Sequence, residues 1–252
     1  MAIHTAVYTK LDTAATANED IPAVTDNVFT VQNGHYIAQQ DMNLLSAYAR
    51  DAGITNARIF TPQLLKVGVP SVSPVNANAA PITLPPMTYF PPAKLRIPAI
   101  DEIAFQISNG GAGGVRAVGV IWLATMDHNY NVPPGDSFTL RATVTITGTL
   151  AAWASGPLVF DQTLPAGTYQ VVGLNVVGAT TEVARLVFMG GGYRPGVLCM
   201  PAVGNYNWEF FRFGNSGLLG TFVSTAQPQL EVFQTTAAAT PYTVFVDVIK
   251  IA

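Results

Sequence analysis

Side chains that could do chemistry are few and scattered in this sequence. The three histidines, His4, His35 and His128, stand in unrelated contexts, and no H-E-x-x-H or paired-cysteine spacing offers a metal site. Asp127 and His128, next to Tyr130, form the one cluster that combines acid and base groups, and its polar surroundings indicate a surface loop more than a catalytic pair. We therefore expect neither a metal nor a cofactor.

The other potentially reactive groups do not predict catalysis either. Glu209 and Glu231 are the remaining candidates for a glycosidase carboxylate pair, which keeps a β-sandwich hydrolase as one alternative. Cys199 is the single cysteine and lies among apolar residues, which predicts a small buried side chain instead of a nucleophile. The glycine-rich stretches lack the spacing of a phosphate loop and are predicted to be turns. We do not expect an enzyme.

An aromatic segment around Arg212 is the most distinctive group of side chains. It reads Asn-Tyr-Asn-Trp-Glu-Phe-Phe-Arg-Phe and contains Tyr206 and Trp208. Aromatic residues beside an arginine are typical of subunit contacts and of sugar-binding platforms, while alternating aromatics in a strand can fill a core. All three interpretations stay open, and Tyr206, Trp208 and Arg212 are candidate subunit-contact residues.

The composition favours self-association. Charged residues make up 11% of the 252 residues, hydrophobic residues 49%, and the mean hydropathy is +0.32. So little charge predicts that much of the surface is covered by other copies, although a monomer with a polar, uncharged surface is the alternative. The net charge is −3 and the twelve Lys and Arg are scattered singly, so we expect no direct binding of nucleic acid.

Membrane insertion is not expected from the sequence. The opening residues MAIHTAVYTK lack the apolar core of a signal peptide. The longest uncharged stretches, such as 142–160, are interrupted by glycine, proline and alternating threonine, so they do not predict a membrane helix. Peripheral contact with a lipid layer stays open.

The elements that must position these side chains are predicted to be strands. Residues 168–177 and 182–189 are two β-rich runs separated by a short break, which predicts an antiparallel hairpin. Both faces of the first run are apolar, so we expect the run to be covered on both sides. Val172 and Leu174 are therefore candidate subunit-contact residues.

The N-terminal part is predicted to differ from the rest of the chain. Residues 35–52 have helical spacing of apolar side chains, which predicts one amphipathic helix. The span 62–98 holds nine prolines together with apolar residues, which predicts an ordered extended arm. Tyr89 and Phe90, which lie in this arm, are candidate subunit-contact residues.

The predicted fold is all-β. About eight strands separated by turn signals follow residue 100, which suits a jelly-roll sandwich or barrel. The predicted domains are an arm with one helix at 1–98 and a jelly-roll domain at 99–252. The alternative is a compact double jelly roll, with a first barrel over 56–124 and a second over 136–251.

Two segments, LPAGTYQVVGLNVVGATTEVARLVFMGGGYRPG and TFVSTAQPQLEVFQTT with the following YTVFVDVIKIA, resemble the β-barrel capsid proteins of tailless bacterial viruses. The resemblance covers roughly residues 100–252 and implies a non-enzymatic shell subunit. Such a subunit would be made in the host cytoplasm and assemble into the virion as a trimer or higher oligomer, with minor capsid proteins as further partners. The chain departs from many such proteins in lacking a basic arm. The alternative function is a trimeric attachment protein or a carbohydrate-binding β-sandwich module.

Overall fold

The computed structural model is built from strands throughout its described residues, which are 3–12, 15–51, 53–61, 71–75, 77–78, 88–90, 95–111, 115–132, 134–178, 181–199 and 212–251. In chain order the strands are β1 (Ile3–Asp12), β2 (Thr16–Ile21), β3 (Thr30–Gln32), β4 (His35–Ile37), β5 (Met42–Arg50), β6 (Ile54–Thr61), β7 (Ser71–Val75), β8 (Ala77–Asn78), β9 (Thr88–Tyr89), β10 (Arg96–Ile97), β11 (Glu102–Asn109), β12 (Val115–Thr125), β13 (Ser137–Thr147), β14 (Trp153–Pro157), β15 (Thr168–Val177), β16 (Thr181–Val187), β17 (Gly196–Leu198), β18 (Gly220–Val223), β19 (Gln229–Gln234) and β20 (Ala239–Lys250). The all-β prediction is confirmed.

The chain divides into two compact units. The N-terminal unit is Thr5–Met126, and the C-terminal unit is Asp127–Ala252 together with Met1–His4. The boundary falls after Met126 and not after Pro98, the position predicted from the sequence. The reason is that β11 and β12, which begin beyond residue 98, pair with β2, β5 and β6 of the N-terminal unit.

The C-terminal unit contains two four-stranded sheets. Their orders are β13-β20-β15-β18 and β14-β19-β16-β17. Counted along this unit, the first sheet holds strands one, eight, three and six, and the second holds two, seven, four and five. Successive strands thus alternate between the sheets, except that strands four and five pair with each other in the second sheet, and this is the strand order of a jelly roll.

The N-terminal unit has the same order. Its two sheets contain β1-β12-β5-β10 and β2-β11-β6-β7, which are again strands one, eight, three, six and two, seven, four, five of a set of eight. The short hairpin β3-β4 is additional and pairs with β11, while β8 and β9 pair with β5. The described parts of the proline-rich span therefore pair with strands of their own unit, and β7, which carries Pro74, lies at a sheet edge.

The predicted helix over 35–52 is wrong. This stretch forms β4 and β5, and no helix occurs in the described residues, so none there is long and apolar enough to cross a membrane. The eight residues Met42–Ala49 of β5 are all buried. A strand covered on both faces is apolar at nearly every position, so helical spacing can be found in it by chance.

The predicted hairpin of 168–177 with 182–189 is also wrong, although both strands exist. β15 pairs with β20 and β18, whereas β16 pairs with β19 and β17 in the other sheet. The two are strands three and four of a roll, so the chain crosses from one sheet to the other between them. The expected burial of both faces is confirmed, because every residue from Val171 to Val176 is buried.

Apolar side chains from the two sheets of each unit meet in its core. In the C-terminal unit, Gly156 of β14 contacts Val144 and Ile146 of β13, and the ring of Phe188 lies against Gly220 of β18. In the N-terminal unit, Tyr8 packs at 5.1 Å from Tyr36, measured between ring centroids. The Tyr8 hydroxyl donates to the Ile103 carbonyl at 2.7 Å, which satisfies the one polar group of a fully buried ring.

Candidate subunit-contact surface

A buried carboxylate fastens the end of the aromatic segment. Asp247 of β20 has no exposed surface. The Arg212 guanidinium donates to it twice, from Nε to Oδ2 at 2.5 Å and from Nη2 to Oδ1 at 2.9 Å. The Thr139 hydroxyl and the Phe213 backbone N–H donate as well, at 2.7 and 3.2 Å. A buried carboxylate is tolerated where its oxygens are paired and hydrogen-bonded in this way.

The segment then runs beside β15. The Gly214 N–H donates to the carbonyl of Val172 at 2.6 Å, and the Leu219 N–H donates to that of Val171 at 2.8 Å. These two bonds and the Asp247 bonds hold both ends of residues 212–219. This part of the chain is a fixed platform, although it forms no regular strand before Gly220.

The loop after Asp127 is tied to this platform. Leu218 donates its N–H to the Asn129 carbonyl at 3.1 Å, and Nε2 of His128 lies 2.8 Å from the Ser216 carbonyl oxygen. Gly217 has φ +76° and is so close to the loop that a Cβ there would lie 2.3 Å from the Asn129 oxygen. Glycine suits both the left-handed backbone and this close approach.

Three apolar side chains are exposed on these two adjoining pieces of chain. Tyr130 and Val132 lie on the loop and Phe213 lies on the platform, with 37%, 43% and 56% of their surfaces exposed. Val132 contacts Gly214, next to Phe213, and the Arg212 guanidinium lies 4.5 Å from the centre of the Phe213 ring. We call Tyr130, Val132 and Phe213 the anchored surface.

The predicted contact residues have different positions. Arg212 is part of the platform, while Tyr206 and Trp208 lie outside the described residues. Val172 and Leu174 are covered within a single copy of the chain. Their role in a subunit contact stays a prediction, and in one copy they are core residues.

Tyr89 and Phe90 belong to the N-terminal unit. Tyr89 pairs with Ser46 through the backbone of β9, and its side chain is outside the described part. Phe90 is half-buried against the core of this unit, and its N–H donates to the Leu45 carbonyl at 2.9 Å. A role for either residue in a subunit contact remains a prediction.

The groups considered for catalysis have structural partners where they are described. Glu231 accepts from Arg185 at 2.7 Å and lies 3.9 Å from Arg194, and the Arg185 guanidinium is stacked 3.7 Å from the Trp153 ring centre. Glu209 is outside the described residues, so the carboxylate pair is untested. Within the described ranges, no three of the His, Cys, Asp and Glu side chains are grouped to hold a metal.

Cys199 and His128 are both buried. Cys199 is 1% exposed, which confirms the prediction of a buried thiol, and burial raises the pKa of this thiol well above its usual value. His128 was expected on a loop surface, yet it is 6% exposed. The contact of its ring nitrogen with Ser216 explains the difference, since the loop folds back onto the platform.

Sequence reasoning missed the network around Asp247. Its one sequence signal is the charged residue inside the apolar strand Tyr-Thr-Val-Phe-Val-Asp-Val-Ile, because a carboxylate at such a position needs a partner. Arg212 is separated from it by 35 residues, so nothing local identifies that partner.

Comparisons with known proteins give distant structural likenesses only. No family model matches the sequence, and no curated protein matches it. Among solved structures, the chain is similar to the major capsid protein P2 of bacteriophage PM2, with 11% identity, 98% of each chain covered and a TM-score of 0.26. It is also similar to the STIV MCP, with 12% identity, 99% and 97% covered and a TM-score of 0.25, and to a Paenibacillus xanthan lyase, with 12% identity, 100% and 25% covered and a TM-score of 0.23.

Proposed function

We propose that this protein is a double jelly-roll structural subunit of a viral shell, without catalytic activity. The observation that carries the proposal is the repetition of one eight-stranded order in both units of a single chain. Jelly rolls build viral capsid domains, and also lectin and cupin domains, so the fold by itself leaves more than one function open.

The distribution of charge favours the shell among these functions. Three of the twelve Lys and Arg side chains, Arg185, Arg194 and Arg212, are largely buried in ion pairs with Glu231 or Asp247 and so contribute little to the surface. Large apolar side chains such as Met189, Val159 and Ile100 are at least 70% exposed in a single copy. A chain with little surface charge and exposed apolar residues is suited to contact with further copies.

The partner we propose is the protein itself, as a trimer or a larger assembly, located in the virion. Minor capsid proteins are the further partners, and we propose no direct contact of this chain with the genome. The anchored surface is the contact we favour for the C-terminal unit. Its aromatic and aliphatic side chains stand on the platform and on the loop bound to it, which are already fixed by hydrogen bonds, so little conformational entropy is lost when they are covered.

The assembly state of the purified full-length protein tests the proposal. We expect light scattering after size exclusion to give the mass of a trimer or larger species, and negative-stain microscopy to show uniform particles. A protein that stays monomeric at high concentration and binds glycans on an array would overturn the proposal in favour of a carbohydrate-binding module. Hydrolysis of a glycan substrate would overturn the non-enzymatic part.

A further inference from the structure

His128 is a buried titratable group at the junction between the loop and the platform. The residue is 6% exposed, and its ring lies edge to face against Tyr130, with 4.6 Å between the ring centroids. His128 therefore packs against Tyr130, one of the three side chains of the anchored surface. The other partner is the backbone of Ser216, two residues before the Leu218 N–H that also binds the loop.

The hydrogen bond to Ser216 determines which nitrogen of His128 carries the proton. A carbonyl oxygen only accepts, so Nε2 must be the protonated nitrogen of the neutral ring. Nδ1 is then a bare acceptor, and it is buried without a hydrogen-bond partner in the described part of the chain. Adding a proton there would create a charged donor with no acceptor inside the protein, which is costly.

The surroundings of the ring favour its neutral form. Burial lowers the pKa of His128, and the positive amino terminus acts in the same direction, against the smaller opposing effects of the Ser216 carbonyl and of Asp127. The platform residues Gly214–Leu219 include no titratable side chain, and Arg212 before them is bound to Asp247. Asp127 is thus the one acidic group among those that act on the ring.

We infer that His128 is a pH-operated latch, which holds the loop carrying Tyr130 and Val132 on the platform when neutral and releases it when protonated. The folded state binds the proton less readily than the unfolded chain does. The stabilisation is therefore complete above the unfolded pKa of about 6.5 and is lost as the pH falls through and below that value. Taken as regulation of assembly, the inference rests on the proposed function, because release would disperse the anchored surface in mildly acidic surroundings.

Hydrogen exchange of the full-length protein tests the latch directly. We compare peptides covering residues 127–132 and 212–219 at about pH 7.5 and about pH 5.5, after correction for intrinsic exchange rates. The expected result is a several-fold loss of protection in these peptides at the lower pH, while peptides from β13 and β20 are unchanged. Equal protection at both pH values would overturn the inference, whatever the assembly state of the protein.

Two variants assign the effect to one histidine. In H128Q the side-chain amide can still donate to the Ser216 carbonyl but does not titrate, so protection should be the same at both pH values. H35Q, which changes a histidine of the N-terminal unit, should retain the pH effect. Loss of protection in H128Q equal to that of the parent would contradict the latch.

A titration of the unmodified protein gives a second measurement that does not depend on either variant folding. With carbon-13-labelled histidine, NMR should show the His128 ring titrating below about 6.5, the ordinary histidine value. Titration at or above that value would overturn the inference. The mass of the assembly, measured in parallel, separates a failed latch from a failed proposal of self-assembly.

Discussion

Gly173 and Asp247 face each other across β15 and β20, and the carboxylate of Asp247 fills the space that a side chain at Gly173 would need. A Cβ at Gly173 would lie 2.1 Å from Oδ2 of Asp247. The register of β15 against β20 shifts between Val171 and Gly173, so this glycine stands at an irregularity of the sheet. Because Gly173 has no side chain, the Asp247 carboxylate has room beside the central strand β15, where it binds Arg212 and Phe213 of the platform.

Gly173→Ala should therefore destabilise the C-terminal unit. The added methyl group cannot fit without moving the hydrogen-bonded carboxylate, and overpacking of this kind costs about 1–3 kcal/mol of the free energy of unfolding. Gly192→Ala is the matched control, because Gly192 has open space around its Cβ position. Urea denaturation followed by tryptophan fluorescence measures both, and equal stabilities of the two variants would contradict the steric argument.

Arg212→Leu should be far more damaging than removal of a surface arginine. It leaves the Asp247 carboxylate buried without its cation, and loss of one partner from a buried pair costs about 3–5 kcal/mol. Arg141→Leu is the control, since Arg141 and Asp161 are each nearly half exposed and such pairs contribute about 0–1 kcal/mol. Similar free energies of unfolding for the two variants would show that the Asp247 network does not hold the platform.

The strand content could be predicted from the sequence wherever one face of a strand is wet. Ser137–Thr147 alternates polar residues, mostly threonine, with apolar residues, which is the pattern of a strand with one wet face, and it forms β13. β5 was mistaken for a helix because both of its faces are covered, which removes the alternation. Pairing was harder still, because a jelly roll joins its first strand to its last, as β13 and β20 show. Such partners are far apart in sequence and leave no local signal.

The candidate site shows the same limit. The aromatic segment and Arg212 were recognised from the sequence, but the partner of Arg212 was not, since Asp247 lies 35 residues further along the chain, beyond β18 and β19. His128 was assigned to a surface loop because polar neighbours surround it in sequence. Its burial depends on Ser216, which is 88 residues away.

Substitutions in the anchored surface should weaken self-association without unfolding the chain. Phe213 has φ +50°, a conformation that asparagine tolerates, so Phe213→Asn removes the exposed ring at little backbone cost. If Phe213 is a contact residue, truncation should cost about 1–3 kcal/mol of association free energy, which light scattering would detect as a lower mass at a given concentration. The free energy of unfolding should change by no more than about 0.5 kcal/mol.

Met189→Ser provides the control for that experiment. Met189 is 83% exposed, but it lies after β16 and outside the anchored surface. We expect this variant to assemble as the parent does. Normal assembly of the Phe213→Asn variant together with failure of Met189→Ser would place the subunit contact elsewhere on the C-terminal unit.

Cys199 should be unreactive in the native protein even in alkaline solution. Cys199 is 1% exposed, and burial raises the pKa of its thiol well above the usual value. An alkylating reagent therefore cannot reach the sulfur, and the thiol is not ionised to the reactive thiolate. An exposed cysteine is largely ionised near pH 9, whereas Cys199 should label with a maleimide only as fast as the C-terminal unit opens. Mass spectrometry should show slow labelling that becomes fast in urea, and that is faster in Gly173→Ala than in Gly192→Ala. Rapid native labelling that does not differ between these variants would mean that Cys199 is reached without opening of the core.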